Sequence, residues 1–174
     1  MTNEDVVARA RSAISKGCIY GLGKGGFHPE DPHPWNAVKE CDCSGFASWC
    51  LGVSRMIGPK HPWKGKVHFE WIETTNCFED AAHGPDEAFT AVPWNAAQPG
   101  DLLVYGDRPA TATSKKRQGH VGVVASIGHG GPQTVVHCAS SNKPDAIQET
   151  ECHLFAARGA IVARLTLLDQ PPRA

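Results

Sequence analysis

Glu40-Cys41-Asp42-Cys43-Ser44-Gly45-Phe46-Ala47-Ser48-Trp49 is the stretch from which the fold can be read. A cysteine stands where an irregular, Gly- and Pro-rich segment gives way to residues that suit a helix. A helix N-terminus presents unpaired N–H groups and about half a positive charge, and both favour a thiolate. A free cysteine titrates near ~8.5, and such a setting can bring it to about 3.5–7.5. Cys43 is therefore a candidate nucleophile, flanked by polar Asp42 and Ser44 and followed by the small Gly45. Cys41 is a rival thiol, ranked second because it precedes the expected helix start. Downstream, Gly119-His120-Val121-Gly122-Val123-Val124 and Val135-Val136-His137-Cys138 each put a histidine at or in a β-branched run that reads as a strand. Cysteine, then histidine, then histidine, on a helix start and two strands, supplies a nucleophile, a base and an orienting group. Alternation sets His137 on the strand face opposite Val136 and Cys138, where it can lie beside His120 on an adjoining strand. Imidazole, titrating near ~6.5, suits proton transfer from a thiol.

Outward from this centre, residues 4–16 carry Val6, Val7, Ala10, Ala13 and Ile14 as one apolar stripe. That spacing predicts a helix, with Asn3 as N-cap and Gly17 at the C-terminal end. A second helix is expected over 44–51, weakened or ended by Gly52. The stretch 53–99 has three tryptophans but no sustained period, and only one or two short helices are expected there. Within it Asp80-Ala81-Ala82-His83-Gly84-Pro85 reads as a turn. Gln98-Pro99-Gly100-Asp101 is a turn into a strand at 102–105; further strands are expected at 120–127, 134–139 and 160–165, and a short fifth at 147–150. The Gly-rich link at 128–132 points to an antiparallel pair. Helices first and strands afterwards, without βαβ alternation, give an α+β fold: N-terminal helices on an antiparallel sheet of about five strands. The expected organisation is one catalytic domain over 1–174, with a core at 4–166, insertions at 28–40 and 54–97, and a frayed tail at 169–174.

The 174 residues suit one domain with a real core. A formal charge of −1 gives no general drive toward nucleic acid or an anionic membrane. Lys115-Lys116-Arg117, the only basic run, reads as a solvated loop. No apolar stretch has the length of a signal peptide or a membrane span, so the expectation is synthesis in the cytoplasm without a classical export signal. Seven cysteines cannot all pair. Apart from Cys43, most are expected as buried free thiols. Gly21, Gly23 and Gly26 formally satisfy G-x-G-x-x-G, but prolines follow where a dinucleotide-binding helix must start. Cys41, Cys43, His120 and His137 could in principle hold zinc, yet Cys-x-Cys departs from the usual ligand spacing. No metal and no cofactor is expected. His28, His33, His61, His68, His83, His129 and His153 read as surface residues.

Tyr20-Gly21-Leu22-Gly23, Asp42-Cys43-Ser44-Gly45-Phe46, Pro99-Gly100-Asp101-Leu102-Leu103, Gly119-His120-Val121-Gly122-Val123-Val124 and Val136-His137 fall in one order along the chain. In that order the sequence resembles the NlpC-type cell-wall peptidases, papain-like α+β cysteine hydrolases, over residues 6–164. The resemblance implies Cys43 as nucleophile, His120 as general base and His137 as the third, orienting residue. It also implies Tyr20 near the thiolate, helping to bind the oxyanion or substrate, with Asp42 and Ser44 lining the cleft for a peptide amine. The implied activity is cleavage of an amide bond in the peptidoglycan stem peptide, as a γ-D-glutamyl endopeptidase or amidase working through an acyl-enzyme. Implied partners are the wall peptide and an immunity or inhibitor protein, the enzyme itself being a monomer that acts once exported or released. Phage lysins and interbacterial amidase effectors are similar in lacking a signal peptide. Two alternatives stay open: an acyltransferase or amidase on small γ-glutamyl or lipid amides, and a non-catalytic zinc or wall-binding module.

Overall fold

Thr2, rather than Asn3, starts the first helix, α1 (Asn3–Ser12). Its hydroxyl accepts the Asp5 N–H while the Asp5 carboxylate accepts the Thr2 N–H, a reciprocal cap that Asn3 cannot make from inside the helix. The helix is shorter than its apolar stripe suggests: Ala13 caps it, and Gly17, at φ +79°, lies in the turn beyond. The computed structural model describes residues 1–35, 37–83, 88–111 and 116–166.

After α1 come β1 (Ile19–Tyr20) and β2 (Glu40–Cys41), which pair in parallel as a small sheet of their own. The insertion between them is pinned to the helices. The Arg9 guanidinium donates to the Pro29 carbonyl at 2.6 Å, and the Trp49 indole N–H donates to the Asp31 carbonyl at 2.9 Å. Next is α2 (Cys43–Cys50), buried along its whole length and stopped at Gly52, whose φ of +70° favours glycine.

The opaque stretch holds more structure than expected. It contains α3 (Thr74–His83) and β3 (Phe89–Val92), followed by a short 3₁₀ turn at Trp94–Ala96. The turn expected from Asp80 is helical through His83; Gly84 and Pro85 lie outside the described residues. The helix is set by polar anchors, not by an apolar stripe. Glu73 accepts the N–H groups of Thr75 and Asn76 at its start, and the buried Asp80 accepts the Phe89 N–H at 2.8 Å.

The remaining elements are β4 (Leu102–Tyr105), β5 (His120–Gly128), β6 (Gly131–Cys138), β7 (Ile147–Glu151), α4 (His153–Ala157) and β8 (Ile161–Leu165). Among the described residues six strands form one antiparallel sheet in the order β3-β8-β4-β5-β6-β7, one more than expected because β3 joins at an edge. Alternate residues of β4 enter opposite cores: Leu102 and Val104 face one cluster, Leu103 and Tyr105 the other. Both faces of the central strands are therefore covered, which is why they read as continuous apolar runs. The fold class is α+β, as the sequence indicates.

Several smaller expectations need correction. His61 is half-buried and bonded to the Ser54 carbonyl and the Trp63 N–H, and His33 is stacked on Trp35, so neither is a free surface residue. Arg117 is bridged through its backbone to Arg108 and lies over the Tyr105 ring, so it is not part of a solvated loop. Lys115 and the tail 169–174 lie outside the described residues. No helix among the described residues is long and apolar enough to cross a membrane.

Candidate active site

Asp42 caps α2 and so fixes where Cys43 begins it. The Asp42 carboxylate accepts the Gly45 N–H at 2.7 Å and the Gly23 N–H at 2.6 Å. It also accepts the Ser44 hydroxyl and the guanidinium of Arg55, which is 1% exposed. Arg55 Nη2 donates to Ser44 Oγ at 2.9 Å, and Nη1 donates to the carbonyls of Lys24 and Gly25. Its guanidinium carbon stands 4.6 Å from the Trp71 ring centroid. One buried cation thus compensates Asp42 and ties the loop before β2 to the start of α2. Asp42 and Ser44 line the cleft, but their polar atoms already have internal partners.

Cys43 is the first residue of α2 and 5% exposed. Its thiol is not lowered by the helix start, contrary to expectation. Burial first, and the Asp42 charge second, push it up to about 12, against the opposing pull of the Val121 and Ser44 N–H groups and Arg55. At neutral pH the resting sulfur keeps its proton. Cys41, the rival thiol, sits in β2 with no exposure. Its thiol donates to the Asp42 carbonyl at 3.3 Å, and its backbone carbonyl accepts the Cys138 thiol at 3.2 Å. Cys41 belongs to the core, as do Cys18, Cys50, Cys77, Cys138 and Cys152, all buried.

The facing wall comes from the sheet. His120 opens β5 and His137 lies in β6; His120 Nε2 and His137 Nδ1 are 2.7 Å apart. Gly122 makes this approach possible, since a Cβ there would lie 2.9 Å from the His137 Cβ and 2.6 Å from Val135 Cγ2. The second ring nitrogen of His137 is 3.0 Å from Thr150 Oγ1 on β7. Phe155 of α4 covers both rings, with centroids at 5.2 Å from His120 and 5.6 Å from His137. In this dry seat burial lowers His120 to about 3, helped by the neighbouring His137, and lowers His137 to about 4. Both rings are neutral at pH 7. Among the described residues no group of three or more His, Cys, Asp or Glu is placed to hold a metal ion.

Between the walls, a cavity of about 260 Å³ is lined by Tyr20, Asp42, Cys43, Trp71, Glu73 and Asp107, among others. A second, of about 170 Å³, touches His120, Tyr105, Ser140 and Ser141. They share Tyr20, Gln118 and Gly119, so the thiol and the imidazole look into adjoining halves of one cleft. The half-buried Tyr20 hydroxyl is kept protonated, chiefly by burial and then by the neighbouring Cys43 and Asp42. Glu73 uses its carboxylate to start α3, and Asp107 accepts the Gly119 N–H at 2.6 Å with Lys116 Nζ 3.8 Å away. With Asp42 offset by Arg55, these two carboxylates make the Cys43 half of the cleft acidic.

Arg55, Glu73, Asp107, Thr150 and Phe155 carry no signal in the sequence alone. Arg55 follows Gly52 in a stretch without period, and Phe155 lies on a helix of five residues, too short to show one.

No family model and no curated protein matches the sequence. Among solved structures the chain is similar to one from Staphylococcus aureus described as similar to lipoprotein, NLP/P60 family, with a TM-score of 0.50 and 14% identity. The match covers 94% of this chain and 41% of that one, so the chain spans less than half the length of the protein it matches. At this identity the likeness concerns the fold. The chain shares its α+β fold with that NLP/P60-family structure, and the sequence motifs resemble the same family.

Proposed function

We propose that the chain is a cysteine hydrolase that cuts an amide bond in the peptidoglycan stem peptide, as a γ-D-glutamyl endopeptidase or amidase. The observation that carries the reading is the 2.7 Å contact between His120 Nε2 and His137 Nδ1. It commits one nitrogen of His120 to an orienting partner and leaves Nδ1 to serve a thiol. Support comes from the Cys43 sulfur, which interacts with the N–H of Val121, the residue after His120.

With both groups neutral at rest, His120 acts as a general base and not as half of a preformed ion pair. As the Cys43 sulfur attacks the carbonyl carbon, its proton passes to His120. Collapse of the tetrahedral intermediate breaks the C–N bond, and the same proton goes to the leaving amine. Water, deprotonated by His120, then attacks the thioester, releasing the acid and restoring the thiol. Backbone N–H at Cys43 and the Tyr20 hydroxyl are the donors available to the oxyanion; one such donor is worth about 3 kcal/mol. An ammonium group on the substrate would meet the carboxylates of Asp42, Glu73 and Asp107 on the Cys43 side of the cleft.

Mass spectrometry of purified wall fragments incubated with wild type and Cys43→Ala tests this. A cut made by wild type alone identifies the scissile bond. Absence of any cut removes the wall-hydrolase reading and transfers attention to acyl transfer on small amides.

A further inference from the structure

We infer that Thr150 sets the direction in which the hydrogen bonds between the two histidines run, and so is a positioning residue for the hydrolysis proposed above, on which this role rests. Thr150 lies on β7, where Val135 pairs with Thr150 and His137 pairs with Gln148. Thr150 is thus the diagonal neighbour of His137, on the same face of the sheet, and diagonal pairs are within side-chain reach. Its Oγ1 is 3.0 Å from His137 Nε2, and its hydroxyl donates to the Glu151 backbone carbonyl at 3.4 Å.

A carbonyl oxygen only accepts. With the hydroxyl hydrogen turned toward Glu151, the Thr150 oxygen presents a lone pair to His137, whose Nε2 must carry hydrogen. His137 Nδ1 is then bare and accepts from His120 Nε2–H across 2.7 Å. His120 Nδ1 is left with the lone pair that a base for the Cys43 thiol requires. Reversing the chain puts hydrogen on His120 Nδ1, and the ring can no longer take a proton there. The distinction matters because both rings are neutral, so each has one donor nitrogen and one acceptor nitrogen. A hydroxyl does this without placing a charge beside the Phe155 cover.

The test is ¹⁵N NMR of histidine-labelled wild type, Thr150→Val, Thr150→Ser and Thr150→Ala at pH 7, with kinetics on wall fragments. Wild type and Thr150→Ser should carry hydrogen on Nε2 of both His120 and His137. Thr150→Val and Thr150→Ala should show a population with hydrogen on Nδ1. Their kcat should fall by about 10- to 100-fold with KM unchanged, the scale seen when the hydrogen-bond partner of a metal-bound histidine is removed. Hydrogen on His120 Nδ1 in wild type, or unchanged tautomers and kcat in both the valine and alanine variants, would overturn the assignment. If wild type cuts no wall fragment, the hydrolase reading fails, while the tautomer comparison still decides whether Thr150 orders the histidines.

Discussion

The two walls of the cleft are built on opposite electrostatic plans. The α2 wall is held by full charges: Asp42 faces the buried Arg55, and together they bind Ser44, Gly23, Gly45 and two loop carbonyls. The sheet wall contains no charge in its relay, only two neutral imidazoles, a hydroxyl and an aromatic cover. Charge fixes geometry where the sulfur must stand still, since removing either partner leaves the other buried and unpaired. Neutrality suits the wall proposed to move protons, because a nearby fixed charge would lock one protonation state.

The largest contrast lies within one wall, between two thiols separated by a single residue. Cys43→Ala should abolish cleavage of wall fragments, whereas Cys41→Ala should keep activity within a few-fold, as read by product release. Equal loss in both variants would mean that the core thiol and the cleft thiol are not functionally distinct.

Next in size is the ionic wall itself. Arg55→Ala should destabilise by about 3–5 kcal/mol, the usual cost of breaking a buried pair from one side. For a chain of this length that corresponds to a fall in Tm of roughly 6–20 °C. Combining it with Asp42→Ala should cost clearly less than the sum of the two single changes. Additive losses in thermal melts would show that the two residues act separately.

The elevated Cys43 thiol gives a smaller, kinetic signature. Its alkylation by iodoacetamide should rise about tenfold per pH unit from pH 7 to pH 10, since the thiolate fraction grows at that rate below the pKa. A plateau between pH 6 and pH 8 would instead reveal a preformed thiolate, and the two walls would then be electrostatically alike.

The last test belongs to the neutral wall, through pH. His120 and His137 are depressed to about 3 and about 4 from 6.5, so between those values the unfolded chain binds more protons than the folded one. The stability they contribute is fully present above pH 6.5 and is lost as pH falls toward 4 and then 3. With two such groups the loss between pH 6.5 and pH 4.5 is about 4 kcal/mol, so Tm should drop by roughly 10 °C or more. Phe155→Ala, which admits water to the rings, should shrink that dependence.

The sheet was largely legible because its chemistry is local. Leu102–Tyr105 and the β5 and β6 runs are apolar and β-branched, and the Gly-rich link between β5 and β6 marks a hairpin. Cys43 and the two histidines were readable as residue types at element boundaries, and the structure brings His120 and His137 into contact. What escaped was set by tertiary bonds. The helix α3 buries Asp80 and Thr74 alongside Cys77 and Ala81, so no clean apolar stripe announces it. Arg55 gains its meaning from carbonyls and a carboxylate far back in the chain, and Thr150 from a diagonal across two strands. The expected thiolate failed for a related reason: a helix terminus can be seen in sequence, but the burial that outweighs it cannot.

The pinning of Arg55 to the Lys24 and Gly25 carbonyls has a consequence in time as well as space. The sulfur and its ionic wall are encoded early in the chain, and both histidines come from strands made much later. During synthesis the proposed nucleophile, Cys43, is therefore made well before the proposed base, His120. In the proposed mechanism proton transfer needs β5 and β6 in place opposite α2, so the helix wall alone, however early it is made, would not be competent for hydrolysis.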